Sequence, residues 1–352
     1  ATRRFILSGT PMPQNAADLW VQINFLWPYE NILGNSLVFK RYTKNQGIGK
    51  WKSIVDPLFT RIKKSELGLD PPEFENYYVD LSSTQSEIYN VLAEKTLDEI
   101  YQPGRGKLLT YRKARIIRML QVASNPALLY EQDDEFTLHD EYGFQQIPPL
   151  PSVESLDSEL YKKIENYSKN GEIPAKLVQV VKLTRKLLQN GEKVIIWSNF
   201  LKNIRILENQ LLKDENPIVI HGDISKDTND DVNRDSFIKE FKDDVNPRVL
   251  IATPPSLSES VSLHINDKKQ RVCSHAIYLE RNFNAAQFVQ SMDRIHRVGM
   301  DLKDDSSFTI DWEEDGKSIQ KKFKRNQVYY HFFIAKNTID TVIDERLWEK
   351  FE

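Results

Sequence analysis

Two arginines are the side chains of this 352-residue sequence best suited to chemistry on a phosphate group. Arg294 and Arg297 are three positions apart, near the end of a stretch with helical spacing of apolar residues at about 285–295. Residues three apart on a helix project from neighbouring positions of one face. Each guanidinium offers a rigid fork of donors that matches phosphate oxygens. The alternative is a solvated or ion-paired surface pair, which is common in proteins.

The elements that must position these arginines are short apolar strands alternating with helical stretches. The strands are predicted at Val194–Trp197, Ile218–Ile220, Val249–Ile251, Ala276–Leu279 and Tyr330–Ala335. This alternation predicts an α/β fold with a parallel sheet and helices on both faces. In such a sheet, ligand sites lie at the carboxyl ends of the strands.

Polar turns follow the predicted strands at the edge where a site is expected. Three strands end in Ser198-Asn199, His221-Gly222 and Thr253, and the next leads through Glu280–Asn284 into the arginine helix. Hydroxyls and main-chain N–H groups suit contacts to nucleic-acid backbone phosphates, which carry no base sequence information. This order of strand-end turns argues against the surface alternative for the two arginines.

Further short motifs occur in a fixed order along the chain. They are Leu7–Pro11, Pro57–Lys64, Asn125–Leu128, Pro174–Leu177, Lys193–Phe200 and Gln290–Gly299. Together with the strand-end turns, they resemble the Swi/Snf family of superfamily 2 helicase-like ATPases, from its motif III to its end. The resemblance implies a RecA-like sheet preceded by a mainly helical, family-specific region.

The resemblance also implies roles for individual residues. Arg297 is expected to be the main arginine finger, with Arg294 as its partner. ATP binding or coupling is expected from Gln290, Ser260, Ser8, Gly9 and Thr10. DNA binding is expected from Ser198, Asn199, His221, Gly222, Thr253, Arg61 and Lys63. The alternatives are a plain polar helix residue at Gln290, helix-capping turn residues at Ser8 and Thr10, and a solvated helix face for the basic stretches.

The sequence departs from the family pattern in several places. Motif V, residues 252–263, is poor in glycine, with Ser258 and Ser260 at usual glycine positions, and glycine allows close backbone approach to phosphate. Phe283 and Met300 stand where Trp and Gln are usual. A Gly-Lys-Ser run at Gly316 lacks the preceding glycine of a phosphate loop, and there is no Asp-Glu-Ala-His-like run. ATP and Mg²⁺ are therefore expected to be held mainly by a first lobe, and this chain should not hydrolyse ATP unaided.

The formal net charge of -3 hides a strong segregation of charge along the chain. Residues 131–160 carry acidic side chains and no Lys or Arg, whereas residues 104–118 carry basic side chains and no acid. We predict that residues 1–130 contain the end of a first lobe and a helical, basic region. Residues 131–173 are predicted to form an acidic, proline-containing connector. A second RecA-like lobe is predicted over 174–352, with a hairpin insertion at about 301–326. An apolar strand at Phe5–Leu7 near the chain start is typical of a piece of a longer polypeptide.

Composition excludes several classes of protein. The single cysteine, Cys273, excludes a disulfide scaffold or thiolate-rich zinc site and fits a reducing compartment. No apolar run reaches the roughly 18 residues of a membrane span. We expect no metal site, no membrane partner and a cytoplasmic location, nucleoid-associated if the source is bacterial.

The leading hypothesis is the C-terminal lobe of an ATP-dependent double-stranded DNA translocase. Its expected partners are double-stranded DNA, an N-terminal RecA-like lobe of the same protein and further protein subunits. One alternative is a non-hydrolysing DNA- or protein-binding module, which the altered motif V favours and the intact Arg294 and Arg297 oppose. The other is part of a strand-separating helicase, against which the Swi/Snf-like helical region argues.

Overall fold

A computed structural model describes residues 3–8, 11–12, 16–60, 62, 64–100, 108–130, 158–222, 224, 233–257, 261–299 and 304–349. The chain divides into two compact units. The first comprises residues 1–69 with 284–286, and the second comprises residues 70–283 with 287–352. No helix of the described ranges is both long enough and apolar enough to span a bilayer.

The first unit is a small helical unit. Its helices are α1 (Asp18–Leu26), α2 (Ser36–Gln46) and α3 (Lys52–Val55). Its core is formed by Leu19, Ile23, Leu33, Phe39 and Val55. The Asn35 side chain caps α2 by accepting from the second and third main-chain N–H groups after it, which are otherwise unpaired at a helix start.

The strand predicted at Phe5–Leu7 is not present. Residues 3–8 have no regular secondary structure, and the Phe5 and Leu7 side chains are exposed by 79% and 98%. A strand is stable only when its main-chain groups pair with a neighbour, and no described strand pairs with these residues.

Six parallel strands form the sheet of the second unit, and this confirms the predicted α/β fold class with a RecA-like parallel sheet. The strands are β1 (Glu73–Val79), β2 (Val194–Trp197), β3 (Ile218–Ile220), β4 (Val249–Ala252), β5 (His275–Tyr278) and β8 (Tyr329–Ala335). Their spatial order is β1-β8-β5-β2-β4-β3, and every neighbouring pair is parallel. Every residue of β2, β3, β4, β5 and β8 is buried, as expected of a parallel sheet covered on both faces.

Helices pack on both faces of this sheet. They are α4 (Ser83–Ile100), α5 (Leu108–Ser124), α6 (Ser158–Lys169), α7 (Ala175–Gln189), α8 (Leu201–Ile206), α9 (Arg234–Asp243), α10 (Ala285–Met292) and α11 (Ile339–Glu349). Alternate strand residues face opposite sides. On one face, Ile196 and Ile277 share a core with α7 residues such as Val180. On the other, Phe332 contacts Phe288 of α10 and Trp348 of α11.

Strand β1 lies in a region where the sequence analysis predicted no strand. It pairs with β8 along its whole length, from Glu73 opposite Tyr329 to Val79 opposite Ala335. It is an edge strand with several exposed side chains, and its acidic residues do not have the composition typical of a strand. Its pairing joins the stretch before the acidic segment to the sheet, whereas the predicted domain boundaries at 130 and 173 stay predictions.

Helix α6 occupies part of the segment predicted as an acidic connector. Leu160, Ile164 and Tyr167 recur at helical spacing and are buried in a core with residues of α4 such as Ile88. This apolar stripe outweighs the flanking charges, so residues 158–169 pack as a helix rather than as an open connector. Residues 131–157 of the predicted connector lie outside the described residues.

An antiparallel hairpin precedes the last strand of the sheet, at the position of the predicted insertion. It consists of β6 (Ser307–Glu314) and β7 (Lys317–Lys324). The turn places Asp315 and Gly316 at φ 48° and 71°, which suits the Asp-Gly pair because both types tolerate positive φ. Trp312 of β6 packs into the main core, so the hairpin is an integral part of the second unit.

Candidate functional site

Arg294 is held by main-chain carbonyl groups of two segments. Helix α10 ends at Met292, and the chain continues in turns through residue 298. The buried Arg294 guanidinium donates from Nε to the Gln290 carbonyl at 2.7 Å and from Nη1 to the Val261 carbonyl at 2.9 Å. Its own carbonyl accepts from the Leu263 N–H at 2.8 Å. Arg294 therefore fastens the end of α10 to residues 261–263.

The predicted arrangement of Arg294 and Arg297 on one helical face is wrong, because the helix ends before either residue. The Arg297 side chain is half-buried, and within the described ranges it has no hydrogen-bond or ion-pair partner. Burial, with a smaller contribution from Arg297, lowers the pKa of Arg294. The two cations are thus close in space; Arg294 is bonded to two carbonyl groups, and Arg297 has its donors available.

His264 fastens the main chain that follows Arg297. Its Nε2 lies 3.0 Å from the Val298 carbonyl, and its Nδ1 lies 2.7 Å from the Ser262 hydroxyl. The Nε2–H tautomer donates to the carbonyl and leaves Nδ1 to accept from the hydroxyl. Burial is the main cause that lowers the pKa of His264, so the ring is neutral at neutral pH. Hydrogen bonds consequently join residues 261–264 to residues 294–298.

Residues around α10 anchor the same segment from the sheet side. The Tyr330 hydroxyl donates to the Met292 carbonyl at 2.6 Å, and the Tyr278 hydroxyl lies 2.8 Å from the Ser291 hydroxyl. His296 is buried, with Nε2 2.9 Å from the Asp70 carbonyl. This contact makes His296 a structural support of the segment. Gln290 is half-buried, and its carbonyl accepts the Arg294 bond described above.

The turn after β2 is bonded to the loop after β5. The fully buried Ser198 donates from its hydroxyl to the Glu280 carboxylate at 2.7 Å, and the Asn199 N–H donates to the same oxygen at 3.1 Å. The Asn199 amide donates to the Glu280 carbonyl at 3.3 Å and accepts from Asn282 at 3.3 Å. Both predicted DNA contacts therefore use their polar groups inside the protein, and their role at DNA stays a prediction.

Glu280 carries a strongly perturbed carboxyl group. Burial raises its pKa to about 7, although Lys176 and the bond from Ser198 act in the opposite direction. The buried Lys176 forms an ion pair at 2.7 Å with Asp340 of α11, which also accepts from the Ala335 N–H at 3.0 Å. A buried polar network thus connects the starts of α7 and α11 with the carboxyl edge of the sheet.

The turns after β3 and β4 present unoccupied donors. His221 and Thr253 are half-buried, and Gly222 is exposed. In the part of the chain that the structure describes, neither the Gly222 N–H nor the Thr253 hydroxyl has a hydrogen-bond partner. Neutral donors at strand ends are suited to phosphate oxygens.

The structure brings most of the predicted site residues into the second unit. Ser8 lies in the first unit and is exposed. Five predicted residues lie outside the described residues: Gly9, Thr10, Arg61, Lys63 and Ser260. Among the described residues, no group of three or more His, Cys, Asp or Glu side chains could hold a metal ion.

Glu280 and His264 are functional residues that were not predicted from the sequence. Glu280 follows directly after a predicted strand, and the strand-end rule was a signal for it. His264 carried no comparable signal, because its partners lie on another segment and neither its spacing nor its neighbours suggest a ligand.

A parallel sheet with polar strand-end turns and an arginine-bearing segment at its carboxyl edge defines a RecA-like domain of the helicase type. Residues 1–126 match the SNF2-related domain, and residues 175–299 match the helicase conserved C-terminal domain. The chain belongs to the Swi/Snf-type superfamily 2 helicase-like ATPases, which confirms the resemblance seen in its motifs.

Relatives with this similarity include ATPases of chromatin-remodelling complexes. The ISWI chromatin-remodeling complex ATPase ISW2 of Saccharomyces cerevisiae is 24% identical over 99% of this chain and 26% of its own length. The human SWI/SNF-related matrix-associated actin-dependent regulator of chromatin subfamily A member 1 is 27% identical over 59% of this chain and 18% of its own length. The chain thus spans about a quarter or less of the length of these curated relatives.

Solved structures include similar chains. The Sulfolobus solfataricus SWI2/SNF2 ATPase core in complex with dsDNA covers 98% of this chain and 60% of its own, with 19% identity and a TM-score of 0.48. The C-terminal part of the Fun30 ATPase domain covers 79% of this chain and 90% of its own, with 18% identity and a TM-score of 0.48.

Proposed function

We propose that this chain supplies the second RecA-like lobe of an ATP-dependent translocase on double-stranded DNA. The observation that carries the proposal is the contrast between the two neighbouring arginines, Arg294 and Arg297. Arg294 donates two hydrogen bonds to main-chain carbonyls, whereas Arg297 has no hydrogen-bond or ion-pair partner among the described residues; the carbonyl of the next residue, Val298, is bonded to His264. Such an arrangement holds one guanidinium ready for an external anion.

Arg297 is the proposed arginine finger. A preorganised guanidinium stabilises the charge that develops on a transferring phosphoryl group, and such a finger contributes roughly 10³–10⁵ in rate. Arg294 acts as a positioning residue, because its donors are used to shape the segment. Gln290 assists through its carbonyl, which accepts from Arg294.

ATP is the proposed substrate, bound between this lobe and a first RecA-like lobe. That lobe supplies the phosphate loop and holds Mg²⁺, which neutralises charge on the phosphates. The support is the family, which includes relatives named as ATPases, together with a donor set on this chain that fits phosphate but includes no carboxylate cluster in the described ranges. On this proposal, the chain alone has no ATPase activity.

Double-stranded DNA is the proposed partner at the carboxyl edge of the sheet. The Gly222 N–H and the Thr253 hydroxyl are neutral donors suited to backbone phosphates, and such contacts carry no base specificity. Non-specific contact suits a motor that moves along any duplex. The chromatin-remodelling ATPases among the relatives support DNA as the substrate class.

The proposal is tested with the ATPase that joins this chain to a first lobe. Arg297→Ala should reduce DNA-stimulated ATP hydrolysis by roughly three orders of magnitude, without changing the affinity of the protein for duplex DNA. Arg297→Lys should rescue little, because lysine lacks the planar fork. A normal hydrolysis rate in Arg297→Ala would refute the assignment. Strand displacement from a forked duplex by the wild-type protein would favour a strand-separating helicase.

A further inference from the structure

Arg234 binds the turns after two neighbouring strands. It is the first residue of α9, and its side chain donates four hydrogen bonds, all to main-chain carbonyls. Nε donates to Ile224 at 3.1 Å, and Nη2 donates to His221 at 3.3 Å and to Gly222 at 3.2 Å; these acceptors lie after β3. Nη1 donates to Ser256 at 2.9 Å, after β4. One guanidinium thus joins both turns.

The turn after β4 is further fastened to β3. The Ser256 hydroxyl donates to the Ile220 carbonyl at 3.0 Å and to the Thr253 carbonyl at 2.7 Å. The Thr253 N–H donates to the Ile220 carbonyl at 3.2 Å. The two turns are therefore joined by hydrogen bonds into one unit, and Arg234 is the side chain that spans them.

Two donors without partners among the described residues indicate that the turns after β3 and β4 could bind an anion. The main-chain carbonyls of these turns are occupied by Arg234, whereas the Gly222 N–H and the Thr253 hydroxyl remain without partners in the described part of the chain. Arg234 is only half-buried, and it forms no ion pair with any described carboxylate. Arg234 occupies four carbonyl acceptors, which reduces their repulsion of an approaching anion, while these two donors stay available to it.

We propose that Arg234 is a positioning residue for DNA binding, which presets the Gly222 N–H and the Thr253 hydroxyl for contact with backbone phosphates but does not itself contact DNA. The inference rests on the proposed function, since it requires that this lobe binds duplex DNA. It adds that the geometry of the two turns depends on the guanidinium fork, whose donors point in fixed directions that a lysine cannot reproduce.

The salt dependence of binding separates positioning from direct contact. A direct contact from Arg234 to a phosphate would contribute about 0.9 to the slope of log affinity against log salt. Loss of neutral donor contacts lowers affinity at every salt concentration and leaves the slope unchanged. The variant Arg234→Lys, which keeps the positive charge, gives a second criterion. A lysine could still contact a phosphate directly, but it could not form the four bonds to carbonyls.

The experiment measures binding of the chain to a fluorescein-labelled duplex of mixed sequence by anisotropy, over a series of NaCl concentrations. Arg234→Gln and Arg234→Lys should each weaken binding roughly tenfold, as expected for two lost neutral hydrogen bonds, with the wild-type salt slope. The matched control is Lys239→Gln, which removes an exposed cation from the same helix and should leave affinity within about twofold. Thr253→Ala should weaken DNA binding when it is introduced into the wild-type protein. The same substitution should weaken binding little further when it is combined with Arg234→Lys.

Two results would overturn the inference. One is a slope reduced by about 0.9 in Arg234→Gln together with near-normal binding by Arg234→Lys, which would establish direct contact. The other is unchanged affinity in both variants. If the Arg234 variants fail to fold, as shown by circular dichroism, Ser256→Ala replaces them. It retains Arg234 but releases the turn after β4, and normal binding would contradict the inference. A wild-type chain that binds no duplex would refute the proposed DNA-binding function itself.

Discussion

The Glu280 carboxylate accepts a 2.7 Å hydrogen bond from the buried hydroxyl of Ser198, 82 positions earlier in the chain. This bond closes the turn after β2 onto the loop after β5. The same loop leads into α10, and the arginine-bearing segment follows that helix, so a turn predicted to contact DNA is bonded to the loop that precedes α10. A substitution in the turn after β2 should therefore alter the conformation of the loop after β5, and the reverse should also hold.

Glu280 should make the stability of the protein fall as the pH rises. Burial raises its pKa from 4.5 to about 7, so the folded state holds the proton more tightly than the unfolded state. Between these values the unfolded chain ionises first, and the free energy of unfolding falls by up to roughly 3 kcal/mol. Glu280→Gln should remove this dependence, as measured by urea unfolding at about pH 5 and about pH 8. An identical pH dependence in the variant would contradict the prediction.

The buried histidines should act in the opposite direction. His331 Nε2 lies 3.0 Å from His275 Nδ1, and His331 Nδ1 lies 3.2 Å from the Tyr77 hydroxyl. Burial lowers the pKa of His331 to about 3, so this ring stays neutral in the fold. As the pH falls below 6.5, the unfolded chain gains protons that the folded chain refuses, and stability decreases. His331→Gln should lose less stability between about pH 7 and about pH 5 than the wild type does.

Arg294 and Arg297 should differ in their effect on stability. Arg294→Ala leaves the Gln290 and Val261 carbonyls without their partner, and we expect a cost of about 1–3 kcal/mol. Arg297→Ala removes no described hydrogen bond or ion pair and should change the free energy of unfolding by less than about 0.5 kcal/mol. Thermal unfolding of both variants, compared at one pH, measures the difference. Equal destabilisation would show that Arg297 has a structural role after all.

The ion pair between Lys176 and Asp340 should be costly to break but inexpensive to replace. The Lys176 side chain is fully buried and the Asp340 side chain is 6% exposed. Asp340→Ala leaves a buried, unpaired ammonium and should cost about 3–5 kcal/mol. The double variant Lys176→Met with Asp340→Leu should recover much of this loss, because both charges are then absent. Additive costs in the double variant, measured by urea unfolding, would rule out direct coupling.

Much of the fold followed from the sequence because its determinants are local. The strands at 194–197 and 249–251 are runs of apolar residues between turn residues, and the helices between them show their spacing directly. Two elements did not follow. Strand β1 is at an edge and partly exposed, so it lacks the apolar run of a central strand. Helix α6 was masked by an acidic composition, although its Leu160, Ile164 and Tyr167 form a buried stripe.

The sequence by itself determined the family, the parallel sheet and the pair of arginines at its carboxyl edge, because these depend on residue type, short-range spacing and order along the chain. Only the tertiary structure decided which arginine is free. The partners of Arg294 include Val261, 33 positions away, and Arg297 keeps its donors because no described group reaches it. The same holds for Ser198, which looks available in the sequence but points inward to Glu280. Hydrogen-bond partners from distant segments are set by how the loops pack, and no local pattern records them.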